Sequence, residues 1–373
     1  MTNRERLLRA MQCEPVDRVP IRLWGVDPFH APPRPTYQVL IDLVNEFDME
    51  VMLNWDPAIP WPQGWFCTGT DQISVRTEDH ESHHVGFRES HTILTTPAGD
   101  LRQVTLYSPE GHPGYVSKPL LQSVEDCEKW LSIPDEPLQP DISRYFERDA
   151  EIGDRGLPMT GIWEPFYSVN ALMGSEFWAL ASVDHRELLH EMVAVMFRRV
   201  ERFLEQVFAA GVKAPIGYVG PELCIPPLAS PRDFDDFVTR YDQPLIELAH
   251  SEGVLVWVHC HGNMDPVLER FADMGVDSLN PIEPPPVGIT LADAKRRVGG
   301  RVSFDGNVES GEFDFATPPR IAQLVEQAVA EGGPDGLILT PTSDHSHWPV
   351  LRESVIANYR AFVEAARRYG QCG

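Results

Sequence analysis

Short apolar, β-branched runs recur along this chain, and each leads into a stretch whose apolar positions repeat at helical spacing. The runs are Pro20–Trp24, Glu50–Trp55, Pro158–Trp163, Ala214–Gly220, Val254–Gly262, Ser278–Glu283, Val302–Asn307 and Leu337–Thr342. Between them, residues 184–210 read as a long helix closed by Gly211, which supplies the left-handed residue that ends a helix. A second helix starts at Ser230-Pro231-Arg232-Asp233, a capping-box pattern with proline at the first helical position, and stops at Gly253. Eight strands alternating with helices predict an α/β fold, a (β/α)₈ TIM barrel. Residues 64–115 break the rhythm. They alternate apolar and polar positions and turn sharply, as an antiparallel β-hairpin insertion after an early strand does. Such an insertion lies over the carboxyl ends of the strands and shapes substrate entry, or else serves only packing or a dimer contact. With no linker and no internal repeat, residues 1–373 are expected to form one domain.

Charge narrows the partners. The 373 residues carry 31 Lys and Arg against 56 Asp and Glu, a formal net charge of −25. That surface repels nucleic acid and anionic membranes, both of which bind basic patches. No apolar run approaches the ~20 residues of a membrane span, and the charged N-terminal stretch lacks an apolar core of the signal-peptide kind, so a cytoplasmic protein is expected. The six cysteines are scattered without a C-x-x-C pair, which reads as free thiols rather than a disulfide scaffold.

In a barrel the informative polar residues stand at the carboxyl ends of strands, because side chains fill the interior below. The strongest signal is Val258-His259-Cys260-His261-Gly262-Asn263: period two puts His259 and His261 on one face with Trp257, and Cys260 on the other. Two such imidazoles can take adjacent vertices around a divalent metal ion, zinc foremost, with a carboxylate from a neighbouring strand completing the set. Glu222, one strand earlier, is the first candidate. The competing reading makes both histidines hydrogen-bonded groups that position a substrate without metal. Glu283 is fixed in a loop by Pro281 and Pro284 to Pro286 and serves either as a functional carboxylate or as a cap for backbone amides. Asp305 and Asn307 share a face around Gly306 and either line the site or make a turn. Trp24 and Trp257 suggest an aromatic-lined substrate pocket, with core packing as the alternative. His345 falls in a second His and carboxylate cluster, Thr342 to Trp348, that reads as a loop segment near the substrate. His80, His83, His84 and His91 read as exposed hairpin positions. The templates G-x-G-x-x-G after the first strand, G-x-x-x-x-G-K-[ST] and G-x-S-x-G are absent, so dinucleotide, P-loop and α/β-hydrolase chemistry have no support.

Several of these segments also resemble a known family. Arg4 to Ala10 followed by Glu14-Pro15-Val16-Asp17-Arg18-Val19-Pro20 is similar to the start of the uroporphyrinogen decarboxylase superfamily, which includes zinc-dependent methylcobamide methyltransferases. Ser230 to Phe234, the HCHGN segment and Gly306-Asn307-Val308-Glu309 agree. The resemblance implies a (β/α)₈ barrel and a homodimer. It also implies either of two chemistries, from which this chain departs at particular residues. The decarboxylases carry Arg-Gln-Ala-Gly-Arg after the first strand, where this chain has Arg22-Leu23-Trp24-Gly25-Val26-Asp27, and Gly-His-Gly near the last strand, where it has Thr342-Ser343-Asp344. The methyltransferases hold zinc with His-x-Cys and a later Cys; here His259 matches the first ligand, His261 replaces the Cys and Ser343 stands near the last. The leading expectation is a metal-dependent methyltransferase that moves a methyl group from a small O- or N-methyl substrate to a separate corrinoid protein, with Glu283 or Asp305 orienting substrate or relaying a proton. The rival is a metal-free decarboxylase of a smaller acid, in which His261 and Arg22 bind carboxylate and Asp305 stabilises a protonated intermediate.

Overall fold

A computed structural model describes residues 1–32, 34–111, 114–344 and 350–372. Its strands are β1 (Val51–Asn54), β2 (Ser74–Glu81), β3 (Arg88–Thr96), β4 (Gly99–Tyr107), β5 (Tyr115–Lys118) and β6 (Gly156–Trp163). After them come β7 (Ile216–Val219), β8 (Val256–His259), β9 (Ser278–Asn280), β10 (Ser303–Asp305) and β11 (Leu337–Ile338). Seven form one parallel sheet in the order β1-β6-β7-β8-β9-β10-β11. Both faces are buried, which is why these segments read as nearly continuous apolar runs.

The first apolar run links the two ends of that sheet. Ile21 bridges Leu339 in parallel, Arg22 N–H donates to the Leu339 carbonyl at 3.0 Å, and Glu50 N–H donates to the Ile21 carbonyl at 3.1 Å. Residues 20–22 thus lie between β11 and the start of β1. The helix Asn3–Met11, opened by a Thr2–Glu5 capping box, packs Leu7, Ala10 and Met11 against Leu157, Met159, Trp257 and Ile338. It closes the end of the sheet opposite the carboxyl ends. Arg6 reinforces this floor through Glu50 and Asp17, each at 2.6 Å.

The long helix expected over 184–210 spans Arg186–Ala209, separated at His185 from a preceding helix, Pro165–Asp184. Ser230 and Asp233 form the expected capping box; the helix then passes through a π-helical turn, Asp235–Thr239, before continuing as Arg240–Ser251.

The interruption is larger than a hairpin. β2 to β5 make a separate four-stranded antiparallel sheet, so the expected bounds of 64–115 move to Ser74–Lys118, with a short helix at Gln63–Phe66 before it. Leu94 and Leu101 on its inner face are buried, and β4 packs on the helix Val124–Leu131, which carries Trp130. Among the described residues no helix is long and apolar enough to cross a membrane.

Candidate active site

The site grows from the end of β8. Period two places Trp257 and His259 on one face; His261 follows just past the strand, and its ring meets that of His259 edge to face at 4.5 Å between centroids. Cys260 is fully buried, on the side away from this pair, as the alternation requires.

Each imidazole is anchored through Nδ1. Asn280, the last residue of β9 and the partner of His259 across the ladder, places its Oδ1 2.7 Å from His259 Nδ1, while its amide group donates to the Asp305 carbonyl at 2.5 Å. Because the Asn280 NH₂ is committed there, its oxygen faces the ring and His259 Nδ1–H is the donor. Glu283 Oε1 stands 2.6 Å from His261 Nδ1, and a carboxylate only accepts, so His261 Nδ1–H donates as well. Neither Nε2 atom has a hydrogen-bond partner among the described residues. Burial, with His261 adding to it, pushes the His259 imidazole down to about 4, so it is neutral at pH 7. The hydrogen bond from His261 holds Glu283 below the ordinary carboxylate range.

Glu222 sits in the 3₁₀ turn Pro221–Cys224 after β7. Its Oε2 is buried without a hydrogen-bond partner among the described residues; burial raises its carboxyl, and His261 pulls it back. Glu222 interacts with His261, and an unpaired carboxyl oxygen together with two imidazoles whose Nε2 atoms are open has the donor types of a His₂-carboxylate set, with the anchored Nδ1 atoms supplying the supporting hydrogen bonds that ligating histidines have. The three side chains are not drawn together in advance: among the described residues, no group of three or more His, Cys, Asp or Glu side chains converges on a cation position.

Arg22 and Asp305 are brought together, but on each other. Arg22 Nε lies 2.9 and 3.1 Å from the Asp305 oxygens, a terminal nitrogen of Arg22 also bonds Oδ2, and Trp257 Nε1 donates to the same oxygen at 2.8 Å. Both members are buried. Arg22, expected to bind a substrate carboxylate, and Asp305, expected to stabilise a protonated intermediate or relay a proton, are instead bonded to each other, because side chains at the ends of β10 and of the first run point into one interior. Asn307 donates to the Ile282 carbonyl at 2.9 Å and so ties two loops together. His345 lies outside the described residues.

The two tryptophans do line a pocket. Trp24 lies 5.2 Å from Trp257 and 4.7 Å from His259, and both indoles wall a cavity of about 180 Å³ whose edge carries Asn54. No residue of β2 to β5 lines this cavity.

Sequence reasoning passed over Asn280 and over the partner of Glu164. The signal for Asn280 was present, a polar residue ending a buried strand. Glu164 caps the helix Pro165–Asp184, accepting from Phe166 N–H at 2.8 Å and Tyr167 N–H at 2.6 Å, and it is hydrogen-bonded to Asp242. Both carboxyls are fully enclosed, and burial drives both upward. Two amide donors and the helix N-terminus favour the charge on Glu164, which leaves the shared proton on Asp242.

The profile of the family described as Uroporphyrinogen decarboxylase (URO-D) matches residues 99–369, well over half of the chain. The chain belongs to that family. A curated uroporphyrinogen decarboxylase from Nitrosospira multiformis is 28% identical over 265 residues, 65% of this chain and 66% of the relative, so that alignment spans about two thirds of either protein. One from Thioalkalivibrio sulfidiphilus is 24% identical and covers 88% of this chain and 89% of its own. Among solved structures, a methyltransferase from Methanosarcina mazei aligns over 99% of both chains with a TM-score of 0.60 at 20% identity, a likeness of fold. Family members are enzymes, and this chain is read as one.

Proposed function

We propose that this family member is a metal-dependent methyltransferase or demethylase, moving a methyl group from a small O- or N-methyl substrate to the corrinoid of a separate protein. The observation that carries this is the imidazole pair: the Nδ1 atoms are committed to Asn280 and Glu283, which leaves both Nε2 atoms without a hydrogen-bond partner among the described residues, and His261 interacts with Glu222, whose Oε2 is unpaired there. His259, His261 and Glu222 would hold a divalent ion, zinc foremost. When bound, such an ion supplies Lewis acidity toward the heteroatom that carries the methyl group. The protein's own residues do the rest. Asn280 and Glu283 fix the two ring orientations, and Trp24 and Trp257 wall the adjoining cavity.

The fold in this reading is one (β/α)₈ barrel domain over residues 1–373, closed by the bonds of residues 20–22 to β1 and β11, with β2 to β5 inserted after the first full strand. A homodimer and a cytoplasmic location go with it. The carboxy-lyase alternative has the curated relatives in its favour. It needs Arg22 available to a substrate carboxylate, whereas Arg22 is bonded to Asp305.

The test is a methyl-transfer assay with free cob(I)alamin and a panel of O- and N-methyl donors, followed by the absorbance change to methylcobalamin. The reading predicts donor-dependent methylation that is lost in His261→Ala. Release of CO₂ from a small carboxylic acid, with no methylation from any donor, contradicts it.

A further inference from the structure

Parallel barrels fill their interior with layers of inward side chains contributed by alternate strands. In this chain Gly161 of β6 pairs with Gly217 of β7, and Gly217 pairs with Trp257 of β8, so two adjacent strand positions in that row supply no side chain. The cavity of about 180 Å³ opens there, walled by Trp24 and Trp257 together with Met52 and Met159. Gly161 is required for a second reason: a Cβ at that position comes within 2.8 Å of Asn54 Nδ2, so the glycine lets the Asn54 amide lie over the strand at the cavity edge.

The lining fixes the chemistry of an occupant. Arg22, the one charged side chain among the described lining residues, is compensated by Asp305, so an ionised ligand would lose its hydration without meeting a free counter-charge there. The same guanidinium sits 5.1 Å from the Trp24 ring centre and 5.6 Å from that of Trp257, where a substrate cation would otherwise find its aromatic faces. The volume is below the ~300–1,000 Å³ of pockets for larger ligands, which limits the occupant to about one ring. The polar group left for it is the Asn54 amide, which makes no side-chain hydrogen bond to another described residue and suits an ether or hydroxyl oxygen.

We propose that the cavity is the substrate subsite and that it selects a neutral, single-ring aromatic methyl ether over N-methyl cations and over carboxylates. This rests on the methyltransferase reading and names the donor class within it. The flat ring lies against the wall formed by Trp24 and Trp257, whose indoles touch each other at 5.2 Å between centroids, and Trp24, at 4.7 Å from His259, joins this subsite to the imidazole pair.

Isothermal titration calorimetry of the untagged full chain with anisole, N,N,N-trimethylanilinium and benzoate tests this. Anisole is expected to bind at least tenfold more tightly than the cation, with no detectable binding of benzoate. A Cβ at position 217 meets ordinary contacts, 3.6 Å to Trp257 and 3.7 Å to Met159, so Gly217→Ala folds and weakens anisole severalfold. Gly217→Val fills more of the space and abolishes binding. Equal or tighter binding of the trimethylanilinium, or unchanged anisole affinity in both Gly217 variants, overturns the proposal. The binding assay is independent of turnover, so the two readings fail separately. Methylation from a charged donor without anisole binding defeats this inference alone, and anisole binding without methylation from any donor defeats the methyltransferase reading.

Discussion

Burying a guanidinium and a carboxylate costs hydration that is offset only by their attraction and by saturating hydrogen bonds. Arg22 and Asp305 meet those terms through two-point contact and the added Trp257 N–H. Removing one member strands the other. Arg22→Met is therefore expected to destabilise the protein by roughly 3–5 kcal/mol, while the double variant Arg22→Met/Asp305→Leu recovers most of that loss. Urea denaturation measures both; a single variant as stable as the parent would mean the pair is not the interior tie described here. At this scale the sequence was legible where strand alternation dictates direction. It placed His259, His261 and Trp257 together and singled out Glu283. It could not show that Arg22 and Asp305 meet, because they are 283 positions apart and only the packing of β10 against the first run joins them. Nor does residue type reveal that Asn280 divides its amide between His259 and Asp305.

Among elements, the helix Pro165–Asp184 is tied to the helix Arg240–Ser251 by the Glu164–Asp242 pair, which holds a proton inside the fold. Burial raises the Asp242 carboxyl well above its unfolded value of about 4. The folded chain keeps a proton there that the unfolded chain releases. The stability from this pair is thus fully present below about pH 4 and declines as pH rises toward the raised folded value, by up to about 1.4 kcal/mol per pH unit. Asp242→Asn retains a donor to Glu164 and removes the titration. Urea midpoints taken from pH 5 to 8 should fall less steeply in the variant than in the parent; parallel curves would place the proton elsewhere. All eight apolar runs were legible as strands or bridging segments in their observed order, because segments buried on both faces carry a strong apolar signal. The antiparallel sheet was underestimated for the converse reason. Its last strand, β5, is exposed along its length and offers little apolar contrast.

For the whole molecule, the N-terminal helix closes one end of the parallel sheet. What remains open to a ligand is the end where the β8 imidazoles, Glu222 and the aromatic cavity lie. In the proposed function these imidazoles hold a metal ion. Elemental analysis of the purified, untagged protein by inductively coupled plasma mass spectrometry tests it most directly, with His259→Ala and Glu222→Ala measured in parallel. Close to one divalent ion per chain, zinc foremost, is expected, lost in both variants while the fold persists. Full occupancy retained in His259→Ala, or a parent protein that neither carries nor takes up a divalent ion, would contradict it.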